Sequence, residues 1–226
     1  MKLPPLEEGV FVERLNRFAC RVERGGKEEI AHLANSGRLR EVLHPGRRVL
    51  LAPATTPRRT TCDLVLVSLG GGWVSVDARL PPSLVAEAIL RGRLAPFRDY
   101  RRVRREVPLG DSRIDLLLED GVPCYVEVKS ITLVKGGVGL FPDAPTLRGR
   151  RHVEGLAAAL GPGVKGAIAF VVQRGDARAF SPNDATDPVF GQALRRAAGQ
   201  GVGVYAFRCR VTPREIEIDS EIPVLL

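Results

Sequence analysis

Asp115, Glu127 and Lys129 are the residues of this chain whose types and spacing best suit chemistry. They fall in the stretch 112–129, Ser-Arg-Ile-Asp-Leu-Leu-Leu-Glu-Asp-Gly-Val-Pro-Cys-Tyr-Val-Glu-Val-Lys, where two apolar runs flank the turn signal Glu119-Asp120-Gly121. Charges in the middle of sheet-core strands are costly unless something pairs them. Side chains alternate along a strand, so Glu127 and Lys129 share one face and Val128 points to the other; Arg113, Asp115 and Leu117 share a face of the neighbouring strand. Hairpin pairing across the turn brings Asp115 near Glu127. Two carboxylates and a backbone carbonyl, that of Val128, make a hard oxygen site suited to Mg²⁺ or Mn²⁺ with several waters retained. Such an ion polarises a phosphodiester and acidifies water. Lys129 beside it would align the attacking water or stabilise charge growing on phosphate. The same three residues would also serve as a structural ion-pair cluster, because a lone Glu-x-Lys is a weak signal. Context favours the chemical reading: this is the only acid-x-Lys in the chain, and it ends an apolar strand that follows a strand carrying an Asp.

The elements that must position these residues lie in the second part of the chain. Before residue 80 the sequence shows short strand-like runs, Val10–Val22, Glu28–Leu33, Val49–Pro53, Cys62–Leu69 and Trp73–Val76, broken by Gly25-Gly26, Pro45-Gly46 and Gly70-Gly71-Gly72. Five short strands in this span predict a small OB-like barrel over residues 1–80, with a short helix over Asn35–Leu43 plugging one end. The pattern changes at Arg79-Leu80-Pro81-Pro82. Ser83 is the expected cap of a helix that carries Leu84, Val85, Ala88 and Ile89 up to Gly92. Strands are expected over 100–107, 112–118 and 122–129, a helix over Thr146–Leu160, and a fully buried strand over Val164–Gln173. A helix over Asp187–Gly199 and a strand over Val202–Arg210 follow. This order predicts an α/β domain over 81–226.

Composition narrows the partners. The 226 residues carry a net charge of +8 with pI near 9.8, supplied almost wholly by arginine. A basic surface favours polyanions, nucleic acid above all, although the Arg-over-Lys bias itself also fits a GC-rich genome. Cys20, Cys62, Cys124 and Cys209 form no CxxC pair and only His32, His44 and His152 are histidines, which argues against a zinc site. No apolar run approaches the roughly 18 residues of a membrane span, and the N-terminal segment lacks a signal-peptide core. A cytoplasmic protein with no membrane partner is expected.

Ser112-Arg113-Ile114-Asp115, Glu127-Val128-Lys129-Ser130-Ile131-Thr132-Leu133 and Phe141-Pro142-Asp143-Ala144-Pro145-Thr146-Leu147-Arg148-Gly149-Arg150-Arg151-His152 resemble the SfsA family, the sugar fermentation stimulation protein homologues. Arg14-Leu15-Asn16-Arg17-Phe18, His32-Leu33-Ala34-Asn35-Ser36-Gly37-Arg38-Leu39, Leu43-His44-Pro45-Gly46, Arg58-Arg59-Thr60 and Phe180-Ser181-Pro182 extend the resemblance over nearly the whole chain. Ile114 stands where that family commonly has Phe, and Arg151 where Lys is usual. The resemblance implies an N-terminal OB-fold barrel, a C-terminal α/β domain of the PD-(D/E)xK nuclease type, and DNA binding. Asp115 and Glu127-Val128-Lys129 then match the superfamily's Asp and Glu-x-Lys. Glu87 is the candidate fourth catalytic member, since the helix before these strands often lends an acid there.

Arg38, Arg40, Arg47, Arg48, Arg58 and Arg59 cluster in the barrel and could line a phosphate track; a solvated basic surface is the plainer alternative. Arg148 and Arg150 open the helix after the 141–146 loop, where Arg148 shares a face with His152 and could hold a phosphate. Asp143 reads as a loop-structural acid, His32 and Asn35 as a polar scaffold. With aromatic residues at 5% and Trp73 the only tryptophan, stacking on several bases is poorly supported, and sequence-independent backbone contact to duplex DNA fits better. RNA is kept as a second polymer, a homodimer as an admitted assembly. A non-catalytic DNA-binding or regulatory protein of sugar metabolism is the alternative to a nuclease.

Overall fold

The computed structural model describes residues 1–110 and 112–226. Six strands, β1 (Glu7–Asn16), β2 (Ala19–Arg24), β3 (Lys27–His32), β4 (Arg48–Pro53), β5 (Cys62–Leu69) and β6 (Gly72–Ser75), form the N-terminal unit. They run in the order β3-β2-β1-β4-β5-β6, and a parallel β3–β5 pairing closes the first five into the expected OB-type barrel. Phe11, Val22, Leu33, Leu39, Leu51 and Leu64 fill it. Two expectations fail here. The run Val10–Val22 is two strands, because Arg17 and Phe18 turn between Asn16 and Ala19. The segment Asn35–Leu43 is a string of turns rather than a helix: Leu39 adopts φ +53°, which breaks helical propagation.

The C-terminal unit is a three-layer α/β domain. Its sheet contains β7 (Val103–Leu109), β8 (Ser112–Leu118), β9 (Cys124–Ile131), β12 (Lys165–Val172), β14 (Gly203–Val211) and β15 (Ile216–Ile222), in the order β15-β14-β12-β9-β8-β7. The two β9–β12–β14 pairings are parallel and the rest antiparallel. The pairs β10 (Val134–Lys135) and β11 (Val138–Phe141), with β13 (Ala179–Pro182), make a small side sheet. Helix α1 (Leu80–Leu90) covers one face; α2 (Leu147–Ala159) and α3 (Pro188–Gly199) cover the other. The chain start belongs to this layer too, since Lys2 bridges Glu215 and Leu3 donates to the Arg214 carbonyl.

The cap of α1 is Arg79, not Ser83. Leu80, Pro81 and Pro82 already form the first turn, where proline's fixed φ is pre-organised and its missing N–H costs nothing. Arg79 is held there by Asp77 through both backbone and guanidinium hydrogen bonds of 2.6–3.2 Å. Thr146 caps α2 by accepting from Gly149 N, and Asp187 caps α3 at Phe190 N while also accepting from Thr146 N. The starts of the two helices are thereby tied together. No helix among the described residues is long and apolar enough to cross a membrane.

Candidate metal and phosphate site

The strand alternation decides which way each charge points. Val126 and Val128 of β9, with Leu116 and Leu118 of β8, pack under α1. Glu127, Lys129 and Asp115 therefore face the opposite side of the sheet, toward α2. There they line a cleft of about 440 Å³ with Arg113, Arg148 and His152, walled on the barrel side by Arg17, Asn35, Ser36 and Gly37. The site lies between the two units.

Asp115 sits where the sheet opens. The β8–β9 ladder runs from Leu118↔Cys124 to Leu116↔Val126 and then stops. Beyond it the Val128 N–H donates to Asp115 Oδ2 at 2.8 Å, so a side-chain oxygen replaces the missing backbone acceptor. Oδ1 has no hydrogen-bond partner among the described residues. Glu127 is only 3% exposed. Its Oε1 accepts from Lys129 Nζ at 2.6 Å and also meets His152 Nδ1. Its Oε2 is buried with no partner. Arg148 Nε donates to His152 Nε2 at 3.5 Å, which leaves the His152 Nδ1–H to donate to Glu127. Each acid is thus pinned by one oxygen, and the other has no hydrogen-bond partner among the described residues.

The two carboxylates titrate apart. Burial, then the charge of Glu127, pushes Asp115 up to about 6 against the pull of the Val128 hydrogen bond and Lys129. For Glu127 burial is again the largest influence and acts upward, but the His152 hydrogen bond and Lys129 together outweigh it and hold the group below its ordinary value. Among the described residues no three His, Cys, Asp or Glu side chains are arranged to hold a metal ion. Two carboxylate oxygens plus the Val128 carbonyl fit an ion that keeps much of its water, and they do not fit an all-protein cage.

The structure brings Asp115, Glu127, Val128, Lys129 and Arg148 together and leaves other expected residues out. Glu87 lies on α1, across the sheet, where its carboxylate pairs with the Met1 ammonium at 3.3 Å and Arg91 at 2.9 Å. The expected fourth catalytic acid is therefore corrected: α1 covers the Val126/Val128 face, not the Glu127 face. Arg150 does not line the cleft; its buried Nε has no hydrogen-bond partner and lies 3.7 Å from Glu154. Arg47 clamps the Glu41 and Val42 carbonyls, and Arg58 is committed to Asp63 at 2.6 Å. Asp63 also holds His32 and lies 3.4 Å from Arg79; burial pushes its carboxyl up, but Arg58 and His32 more than offset this and keep it below the carboxylate range. Arg47 and Arg58 thus have partners within the barrel and Arg150 does not line the cleft, while Arg38, Arg40, Arg58 and Arg59 are all exposed.

Three residues were absent from the sequence expectation of the site. His152 was legible only as the i+4 partner of Arg148. Arg17 was hidden inside a run read as one strand. Asp143, read as a loop acid, is a clamp between the units: its Oδ2 accepts from Arg38 N at 2.6 Å and Leu39 N at 3.3 Å. Gly37 is required beneath it, since a Cβ there would meet Asp143 Oδ2 at 2.6 Å. Asn35, which lines the cleft, donates to the Val76 carbonyl and accepts from Gly37 N. The four cysteines are free and buried. Burial pushes Cys20 up to about 12 and Cys124 up to about 11, which removes them as thiolate nucleophiles.

An OB-type barrel joined to an α/β domain, with a carboxylate–lysine cleft between them, defines the class of this protein. The chain belongs to the SfsA family: the SfsA N-terminal OB domain matches residues 12–76 and the sugar fermentation stimulation protein RE domain matches residues 79–215. It is 46% identical to the sugar fermentation stimulation protein homologue of Moorella thermoacetica over 98% of this chain and 97% of that one. It is 44% identical to the Geobacter sulfurreducens homologue over 100% and 99%. The structure of Pyrococcus furiosus SfsA in complex with Ca²⁺ superposes with a TM-score of 0.93 at 29% identity, covering 100% of this chain and 98% of that one.

Proposed function

We propose that this chain binds nucleic acid and hydrolyses its phosphodiester bonds with a divalent cation held by Asp115 and Glu127. The observation that carries this reading is the orphaned Oε2 of Glu127. A buried carboxylate oxygen without a donor is costly, and this one belongs to a residue that lines a cleft with a second acid. The Ca²⁺ bound by the Pyrococcus furiosus relative supports a hard cation in this family.

Asp115 Oδ1, Glu127 Oε2 and the Val128 carbonyl would hold Mg²⁺ or Mn²⁺, and the resemblance to PD-(D/E)xK nucleases gives the same three positions. The bound ion supplies positive charge where a phosphodiester turns more anionic on attack. Lys129 uses one ammonium proton on Glu127 and keeps two donors for a phosphate oxygen or the incoming water. Glu127, held below its ordinary range, stays ionised while it takes that hydrogen bond. Arg113, Arg148 and Arg17 present guanidinium groups to flanking phosphates, a backbone contact that carries no sequence preference. DNA is the polymer the resemblance favours, with RNA as the second candidate.

The test is incubation of purified protein with labelled single-stranded, duplex and forked DNA and RNA in Mg²⁺, Mn²⁺ or EDTA. Cleavage is expected with either cation and absent in EDTA. Lys129→Ala should abolish it while affinity stays within a few-fold, because Lys129 acts on the transition state. Wild-type protein that binds cation and nucleic acid yet cuts none of these structures would leave a regulatory DNA-binding protein as the correct reading.

A further inference from the structure

The tip of the β1–β2 hairpin combines a fixed backbone with an exposed aromatic ring. The Phe18 N–H donates to Asn16 Oδ1 at 2.9 Å, and its carbonyl accepts from Leu33 N at 2.9 Å. Arg14 directs its guanidinium to the carbonyls of Asn16, Arg17, Asn35, Gly37 and Arg38. It fastens the tip to the loop that walls the cleft. Phe18 nevertheless stays 48% exposed, the only aromatic among the exposed large apolar residues described. Arg17 packs over this ring, 5.4 Å from its centroid, and also lines the cleft. One residue therefore links the ring to the candidate phosphate site.

From this juxtaposition we infer that Phe18 stacks on an unpaired base while Arg17 holds the adjoining phosphate, so that the preferred substrate is single-stranded or frayed nucleic acid. The inference rests on the nucleic-acid reading given above and narrows it. A ring held on a pre-ordered backbone loses little entropy on binding. Stacking requires a base face, which an intact duplex hides and a single strand offers. Arg17, Arg113 and Arg148 line the same cleft, alongside Glu106, Asp115, Glu127 and Asp143, and their guanidinium groups are the contacts a phosphate backbone would take there. This departs from the expectation of backbone contact to duplex DNA alone.

The experiment compares a labelled oligo(dT) strand with a duplex of equal length, by fluorescence anisotropy in EDTA at one fixed salt concentration. Wild type should favour the single strand. Phe18→Ala should weaken single-strand binding by about five-fold to a hundred-fold and duplex binding less than about two-fold. Phe18→Trp should restore single-strand affinity, with quenching of the new indole on binding. Equal losses on both polymers, or no loss on the single strand, would overturn the stacking role while salt-dependent binding kept the broader reading intact. Wild-type protein that binds neither polymer would overturn both. A sedimentation change in Phe18→Ala without any change in affinity would also overturn it, and assign the ring to self-association.

Discussion

Replacing Asp115 by Asn distinguishes a cation site from a structural ion-pair cluster by the sign of its effect on stability. Burial, followed by the charge of Glu127, pushes the Asp115 carboxyl up to about 6, whereas an aspartate in an unfolded chain ionises near about 3.9. Without a cation, the folded protein binds more protons than the unfolded chain between those two values. The stability linked to this group is fully present below the lower one and is lost as pH rises through the upper one. A difference of about two pH units, at about 1.4 kcal/mol each, means that at pH ~8 the ionised carboxylate destabilises the cation-free fold by about 2–3 kcal/mol. Asparagine removes the charge and keeps an oxygen to accept from Val128 N. In EDTA at pH ~8, Asp115→Asn should therefore raise Tm by about 4–12 °C, at 2–4 °C per kcal/mol for a chain of this size. The gain should shrink toward zero by pH ~4. Mn²⁺ should raise the Tm of the wild type by mass action and leave the variant unmoved. Scanning fluorimetry over a pH series reads all three effects. A lower Tm for Asp115→Asn in EDTA at pH ~8 would show that the charge serves the fold, and the reasoning would fail.

Other perturbations follow from the same geometry. Glu87→Ala should leave Mn²⁺ affinity and any cleavage unchanged, by calorimetry and gel assay, because Glu87 sits across the sheet. His152→Ala should weaken Mn²⁺ binding about 10-fold or more, since a partner that orients a ligating carboxylate typically carries that much, and His152→Gln should recover part of it. Arg59→Ala should weaken nucleic-acid binding for all sequences alike and reduce the salt slope by about one. Arg58→Ala should instead show its main effect in Tm, because its guanidinium is committed to Asp63. Asp143→Ala should destabilise the fold by about 2–4 kcal/mol, read as a lower Tm, through the loss of two charge-assisted hydrogen bonds between the units.

Much of the site was legible because charge in an apolar strand is rare and alternation fixes its face. Asp115, Glu127 and Lys129 needed only the hairpin signal at Glu119-Asp120-Gly121 and the period of two. The barrel strands were legible from their turn glycines. What escaped depended on tertiary placement. Glu87 falls on the expected helix, but that helix covers the opposite face of the sheet, and no local pattern tells which face a helix covers. The Asn16–Ala19 turn contains neither Gly nor Pro, so β1 and β2 merged into one run and Arg17 and Phe18 were lost with the turn. Arg38-Leu39-Arg40-Glu41-Val42-Leu43 has helical composition, but Arg14 and Asp143 capture its backbone from outside the segment. The last strand, whose buried Ile216, Ile218 and Ile222 alternate with charged residues, was not among the expected elements. His152 is a buried polar residue on an amphipathic helix, a pattern shared with many structural histidines until Glu127 is seen beneath it.

In the proposed site Asp115 Oδ1 and Glu127 Oε2 face one cation. Anomalous scattering from crystals soaked in Mn²⁺ tests it most directly. A peak within about 2.0–2.6 Å of both oxygens, and lost in Asp115→Asn, is the predicted result. Crystals that take up Mn²⁺ elsewhere, or show no peak between the two carboxylates, would rule out a cation shared by Asp115 and Glu127.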